Sequence, residues 1–180
     1  MQIRCGLCWL HTWRERSALV AENDRTSDET GMMLSSTGFG LCMGCRQHDR
    51  CLLGIVSQTP NDEGGADFEV TCPREREGSQ GVAHGGWVAD VFDEVFGKAL
   101  LGGGFAVTSS LSVRFLRPVP VGRAVAISVW PVTNDRVLSV TGEMRLGSNG
   151  AVLATASGIF VRRNLADHLN RFQAWLTANA

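Results

Sequence analysis

One stretch of the chain, residues 84 to 101, is apolar enough to restrict what the rest can fold into. Its apolar side chains come in neighbouring pairs that recur every four residues: Trp87 and Val88, Val91 and Phe92, Val95 and Phe96, and Ala99 and Leu100. This spacing predicts a long helix over residues 84 to 101 with a wide apolar stripe. Burying each large side chain of the stripe contributes about 1.5 to 3 kcal/mol, so a large second layer must cover the helix.

Short strands are expected on both sides of this helix, because apolar or alternating segments are separated there by turn-forming residues. The predicted strands cover residues 51–58, 66–72, 107–115, 121–132, 136–146 and 151–161. Short connections between the later strands favour antiparallel hairpins. The predicted fold class is therefore α+β, with an antiparallel β-sheet wrapped around one long central α-helix.

The strand after the helix alternates with a period of two. Its odd positions Val107, Leu111, Val113 and Phe115 are expected on one side of the sheet. The polar residues between them, including Thr108, are expected on the other side.

The two ends of the chain differ from this central part. Residues 1 to 40 are polar and lack a sustained period, which predicts a weakly ordered N-terminal extension. Residues 41 to 163 form the expected domain. Residues 164 to 180 predict a C-terminal amphipathic helix, capped by Asn164, with four apolar residues on one side. These residues are Leu165, Leu169, Phe172 and Leu176.

Charge and hydropathy exclude several classes of function. Seventeen Lys and Arg residues against eighteen Asp and Glu give a net charge of −1, so no positive field gathers nucleic acid. No apolar run approaches the roughly 20 residues of a membrane helix, so no membrane partner is expected. These features indicate a cytoplasmic protein whose six cysteines are mostly reduced.

Two consecutive sequence motifs resemble those of a known family. "HGGWVADVFDEVFG", followed by "AVTSSLSVRFLRPVPVG", is similar to the PaaI-like branch of the hotdog-fold acyl-CoA thioesterases. The resemblance covers about residues 42 to 163 and includes "CMGCRQHDRCLLG", where Arg46 replaces the usual glycine. It implies a hotdog fold and the hydrolysis of a coenzyme A thioester. Trp87, Phe92 and Phe96 would suit either an aryl or a medium-chain acyl group, and the sequence leaves this choice open. The resemblance also implies a homodimer or a dimer of dimers, and no metal or other cofactor is expected.

The resemblance assigns roles to particular residues. Asp93 matches the catalytic carboxylate, which in this family faces the amino-terminal end of the partner's helix. His84 and Gly85 match the start of the helix, and Thr108 matches a threonine that some members have on the following strand. Many members have Asn or Gln six positions before the histidine, where this chain has Gly78.

The chemistry of thioester hydrolysis explains why these residue types are suitable. The start of a helix offers free N–H groups and a partial positive charge, so the Gly85 N–H is the candidate donor to the oxyanion. Gly86 and the nearby Gln80 are expected to contact the substrate. Asp93 would attack the carbonyl or activate a water, and the sequence leaves both routes open.

Arg162 and Arg163 follow the last predicted strand and are candidates for binding the phosphates of coenzyme A. Other charged residues have simpler interpretations. Asp90 is expected to be structural, and Glu94 and Lys98 are expected to form an i, i+4 pair on the exposed side of the helix.

Two alternatives remain open. The first is a non-hydrolytic hotdog protein that binds acyl-CoA or an aromatic ligand. The second is a zinc-stabilised interaction module, because Cys5 and Cys8 and then Cys42 and Cys45 form two CxxC pairs that could together hold zinc.

Overall fold

The computed structural model describes residues 40–100, 104–132, 136–148 and 150–180. In chain order its helices and strands are β1 (Ile55–Pro60), β2 (Ala66–Thr71), β3 (Glu77–Ser79), β4 (Val82–Ala83), α1 (Gly85–Leu100), β5 (Ala106–Phe115), β6 (Ala124–Pro131), β7 (Val137–Leu146), β8 (Val152–Arg162) and α2 (Leu165–Ala178). All six predicted strands and both predicted helices are present. The short strands β3 and β4 were not predicted. The predicted N-terminal extension, apart from Gly40, lies outside the described residues.

Six strands form one sheet in the order β1-β2-β6-β7-β8-β5, and β3 and β4 form a separate two-stranded sheet. Every pairing between neighbouring strands is antiparallel. Helix α1 contacts β5, β6, β7 and β8, so the large sheet covers the apolar stripe. The prediction of an antiparallel sheet around one central helix, the hotdog architecture, is confirmed.

The stripe on α1 is the centre of the hydrophobic core. Its six largest apolar residues between positions 87 and 96 are each at most 2% exposed. The ring of Phe96 lies against the sheet where two neighbouring strands carry glycine. A Cβ atom on Gly142 would lie 2.6 Å from this ring, and one on Gly158 would lie 3.0 Å from it. The absence of side chains at these two positions therefore makes room for the helix.

The segment from residue 40 to residue 53 lies against another part of α1. The Trp87 indole donates a hydrogen bond to the Leu53 carbonyl (3.1 Å), and the Lys98 ammonium donates one to the Gly40 carbonyl (2.6 Å). Lys98 also pairs with Glu94 at 3.1 Å, as predicted. Its predicted exposure is wrong, because Lys98 is only 7% exposed where this segment packs over it.

Strand β5 departs from the predicted alternation. Its register against β8 shifts between Thr108 and Ser110, so Thr108 pairs with Phe160 and Leu111 pairs with Gly158. Phe160 and Gly158 both contact Phe96 of α1, so Thr108 and Leu111 face the helix together. The prediction that they lie on opposite faces is wrong, because one extra residue in the strand changes the alternation.

Helix α2 forms as predicted, and the Asn164 side chain caps it by accepting a hydrogen bond from the Asp167 N–H (3.1 Å). None of its residues is buried. Its first turns contact the domain where the rings of His168 and Phe105 lie 5.4 Å apart. Within the described ranges, no helix combines the length and apolar character needed to cross a membrane.

Candidate active site

His84 shapes the start of α1. Its backbone N–H donates to the Arg76 carbonyl (2.8 Å), and its own carbonyl accepts from Val88 (3.3 Å). Its side chain turns back onto the helix, where Nδ1 accepts a hydrogen bond from the Gly86 N–H (2.9 Å). Because Nδ1 is an acceptor here, the neutral imidazole carries its proton on Nε2. His84 therefore caps α1 and presents an N–H on an exposed ring.

Two glycines make this turn possible. A Cβ atom on Gly86 would lie 2.9 Å from His84 Nδ1, so a side chain there would displace the imidazole. A Cβ atom on Gly78 would lie 2.8 Å from the Cα of His84. The close packing at Gly78 leaves no room for the Asn or Gln side chain that many members of the resembled family have at this position.

The Gly85 N–H is the open donor at this turn. Among the described residues, no group accepts a hydrogen bond from it, whereas the Gly86 N–H is occupied by His84. The ring of Phe115 lies beside Gly85, at 3.6 Å from where a Cβ atom would be. The turn therefore presents the Gly85 amide at the positive end of a helix, next to an aromatic wall.

Asp93 and Thr108 form the second part of the site. The Thr108 hydroxyl donates a hydrogen bond of 2.7 Å to Asp93 Oδ1. Asp93 is half-buried, and Thr108 is exposed. In the part of the chain that the structure describes, no group bonds Oδ2 of Asp93, so this oxygen is available for chemistry. One turn earlier, Asp90 is exposed and pairs with Arg76 at 3.9 Å, as expected of a structural residue.

These two parts are too far apart to act together within one chain. Gly85 and Asp93 lie eight residues apart on α1. At 1.5 Å per residue, the helix separates them by about 12 Å. A thioester carbonyl bonded to the Gly85 N–H is thus out of reach of the Asp93 carboxylate of the same chain.

The remaining predicted site residues lie in different places. Gln80 is exposed in the turn between β3 and β4. Arg162 is half-buried at the end of β8 and pairs with Ala106, so it lies on the same face of the sheet as Thr108. Arg163 is exposed, and its backbone N–H donates to the Phe105 carbonyl (3.0 Å). Both arginines therefore lie near the Thr108 end of β5.

Sequence reasoning missed two residues beside the site. Phe115 was expected to be on one side of an alternating strand, but it is 58% exposed and its ring lies beside the start of α1. Arg76 ends a short turn of 3-10 helix that begins after Pro73. Its carbonyl accepts a hydrogen bond from His84, and its side chain pairs with Asp90. The sequence contains no period that would have indicated either contact.

The cysteines show only part of the proposed zinc site. The Cys45 N–H donates to the Cys42 carbonyl (3.0 Å) in a turn. Over the described residues, no group of three or more His, Cys, Asp or Glu side chains could hold a metal ion. Cys5 and Cys8 lie outside those residues.

Burial raises the pKa of the Cys72 thiol to about 11, so Cys72 is a neutral thiol at neutral pH.

Comparison with known proteins shows what part of this chain resembles. Residues 80–153 match the family model of the thioesterase superfamily. Acyl-coenzyme A thioesterase THEM5 from Homo sapiens is 34% identical over 93 residues, which cover 51% of this chain and 38% of that protein. The chain thus spans well under half the length of this curated relative.

Solved structures show the same fold. PaaI from E. coli, a protein of the phenylacetic acid degradation operon, is 19% identical with a TM-score of 0.57, over 84% of this chain and 93% of that one. The protein smu.793 from Streptococcus mutans, solved with acetyl CoA bound, is 20% identical with a TM-score of 0.55, over 62% and 90% of the two chains. The matched residues and the shared architecture show that the hotdog domain of this chain is similar to proteins of the thioesterase superfamily.

Proposed function

We propose that this protein hydrolyses acyl-CoA thioesters with aryl or medium-chain acyl groups, at a site that two copies of the chain share. The hydrogen bond between Thr108 and Asp93 carries the proposal, because it orients a half-buried carboxylate on an otherwise apolar helix. The acyl-coenzyme A thioesterase name of THEM5 and the acetyl CoA bound to smu.793 support the substrate class.

The start of α1 would stabilise the transition state. The thioester carbonyl accepts a hydrogen bond from the Gly85 N–H, and the partial positive charge of the helix end offsets the negative charge that develops on the oxygen. Losing such a donor typically costs about 3 to 4 kcal/mol of transition-state stabilisation. His84 contributes by occupying the Gly86 N–H and fixing the turn.

Asp93 would act on the carbonyl carbon from the other side. Thr108 holds one carboxylate oxygen, which leaves Oδ2 to attack the thioester or to take a proton from a water. Direct attack expels the CoA thiolate and forms a mixed anhydride, which water then hydrolyses. Base catalysis adds the oxygen of the water to the carbonyl carbon and expels the same thiolate. Both routes yield a carboxylic acid and CoA.

The sheet indicates how two copies would meet. Of its two edge strands, β1 has six residues and ends at Pro60, which lacks a backbone N–H. The other edge, β5, has ten residues. Long open edges favour pairing, so we infer a dimer through antiparallel β5 strands, related by a two-fold axis. Two such dimers would give a dimer of dimers.

This pairing would complete the site. Thr108, which holds Asp93, lies near the beginning of β5, and Phe115, which covers Gly85, lies at its end. Antiparallel pairing places the beginning of one strand opposite the end of the other. Asp93 of one copy would therefore lie near Gly85 of the second copy, and Arg162 and Arg163 would lie beside this site to bind phosphates of coenzyme A.

One observation favours the non-hydrolytic alternative. Gly78 provides no polar side chain where many members of the family have Asn or Gln, and its close contact with His84 leaves no space for one. A protein that binds acyl-CoA without cleaving it could do without that group.

Release of the CoA thiol from a panel of acyl-CoA substrates tests the proposal. We expect turnover of aryl or medium-chain substrates by the purified protein. Saturable binding of acyl-CoA without thiol release would establish the binding protein instead.

A further inference from the structure

Two apolar patches of the domain have no cover among the described residues. The first is the outer face of α2, whose large apolar residues are 40–59% exposed: Leu165, Leu169, Phe172, Trp175 and Leu176. The second consists of Phe115 and Leu116, which are 58% and 46% exposed. Exposed apolar groups of this size, gathered in patches, are typical of contact surfaces.

The composition of α2 indicates an apolar partner. Leu165, Leu169, Phe172 and Leu176 follow intervals of four, three and four residues, the spacing by which a helix packs along one seam. The helix has one Asp and one Arg and is formally neutral, so its charge does not favour an anionic membrane or nucleic acid.

The two patches lie at opposite ends of β5, the edge strand proposed to pair in the dimer. Helix α2 lies beside the beginning of β5, where His168 contacts the Phe105 ring and Arg163 bonds the Phe105 carbonyl. Phe115 and Leu116 lie at the opposite end of that strand. A two-fold axis through the middle of β5 brings the beginning of one strand to the end of the other.

We propose that α2 of each copy packs its apolar face on Phe115 and Leu116 of the second copy. This inference rests on the shared site proposed above. In the dimer, the apolar face of α2 from each copy covers Phe115 and Leu116 of the other copy, so the contact occurs twice. It extends the interface that the paired β5 strands form.

The contact would also close the active site. Phe115 lies beside Gly85, the oxyanion donor. The α2 that covers it belongs to the copy that supplies Asp93 and Thr108 to the same site. Helix α2 thus forms a wall around the acyl group, and Phe115 forms the adjoining wall.

Substitutions on opposite faces of α2 test this contact in the full-length protein. Leu169→Glu places a charge in the apolar face, and Ala174→Glu places the same charge on the polar face of the same helix. Neither residue is buried within one copy, so neither change should unfold the domain. Dilution experiments with light scattering or sedimentation measure the dissociation constant of the dimer. We expect Leu169→Glu to raise this constant at least about tenfold and Ala174→Glu to leave it within about twofold.

A double-mutant cycle identifies the surface that α2 contacts. Phe115→Ala should also weaken the dimer, and combining it with Leu169→Glu should raise the dissociation constant by less than the product of the two separate effects. A monomeric wild type, an unchanged dimer in Leu169→Glu, or fully multiplicative effects would each overturn the inference. Thiol release is measured separately, so a stable dimer with the expected coupling but no turnover would refute only the proposed activity.

Discussion

Two aspartates of α1 lie three residues apart in different surroundings. Asp90 is exposed and pairs with Arg76, whereas Asp93 is half-buried and accepts the Thr108 hydroxyl. Asp93 has apolar neighbours on α1, and Thr108 satisfies one of its carboxylate oxygens. We attribute the presence of an acid in this helix to the reaction rather than to folding.

The effect of the Thr108 hydroxyl on the reaction can be separated from the effect of the size of the side chain. Thr108→Val keeps the shape of the side chain but removes the hydrogen bond that orients Asp93. Hydrogen bonds to charged groups contribute about 1.5 to 3 kcal/mol, so we expect kcat for acyl-CoA to fall at least about tenfold with little change in KM. Thr108→Ser keeps the hydroxyl and is the matched control. Equal kcat values for the two variants would show that the hydroxyl has no part in the reaction.

Among the elements, α1 and the six long strands could be predicted because each has a sustained hydrophobic period. The sequence could not show the irregularity in β5, because no glycine or proline marks the position between Thr108 and Ser110. Burial of Lys98 depends on residues 40 to 53 crossing the helix, a long-range contact without a local signal. The candidate site residues were found by family resemblance, whereas their separation along α1 became clear only from the geometry.

The packing of α1 on the sheet predicts opposite effects for two glycines. Gly142→Ala would place a Cβ atom 2.6 Å from the Phe96 ring, and such overpacking typically costs about 1 to 3 kcal/mol of unfolding free energy. Gly97→Ala is in α1 itself, where a Cβ atom would meet nothing within 4 Å. It should instead stabilise the helix by about 0.5 to 1 kcal/mol. Denaturant unfolding of both variants checks this, and a stable Gly142→Ala would mean that Phe96 does not pack as described.

At the scale of the whole molecule, one copy has both parts of the site but cannot use them together. Gly85 and Asp93 lie about 12 Å apart along the axis of α1. The described residues of one copy also leave the apolar face of α2 and the Phe115 patch uncovered. Dimerisation through β5 would bring the two parts of the site together and cover the apolar patches. We therefore expect activity to depend on assembly of the dimer.

Mixing two inactive variants tests whether the site is shared. Gly85→Val blocks the carbonyl site, and Asp93→Asn removes the carboxylate, so each homodimer should be inactive. After the subunits exchange, a heterodimer has one intact site, built from Gly85 of one copy and Asp93 of the other. Random exchange should therefore restore roughly a quarter of wild-type turnover. If the mixture stays inactive although heterodimers form, the two residues act within one chain or not at all.

The most direct test of the central claim compares turnover of an acyl-CoA substrate by Asp93→Asn and Asp90→Asn. Both changes remove one negative charge from the same helix with almost no change in shape. If Asp93 is the catalytic carboxylate, its loss should lower kcat by a factor of about a hundred or more while the fold and the dimer persist. Asp90→Asn should retain most of the activity. Similar turnover in the two variants, or full activity in a folded Asp93→Asn dimer, would contradict the account.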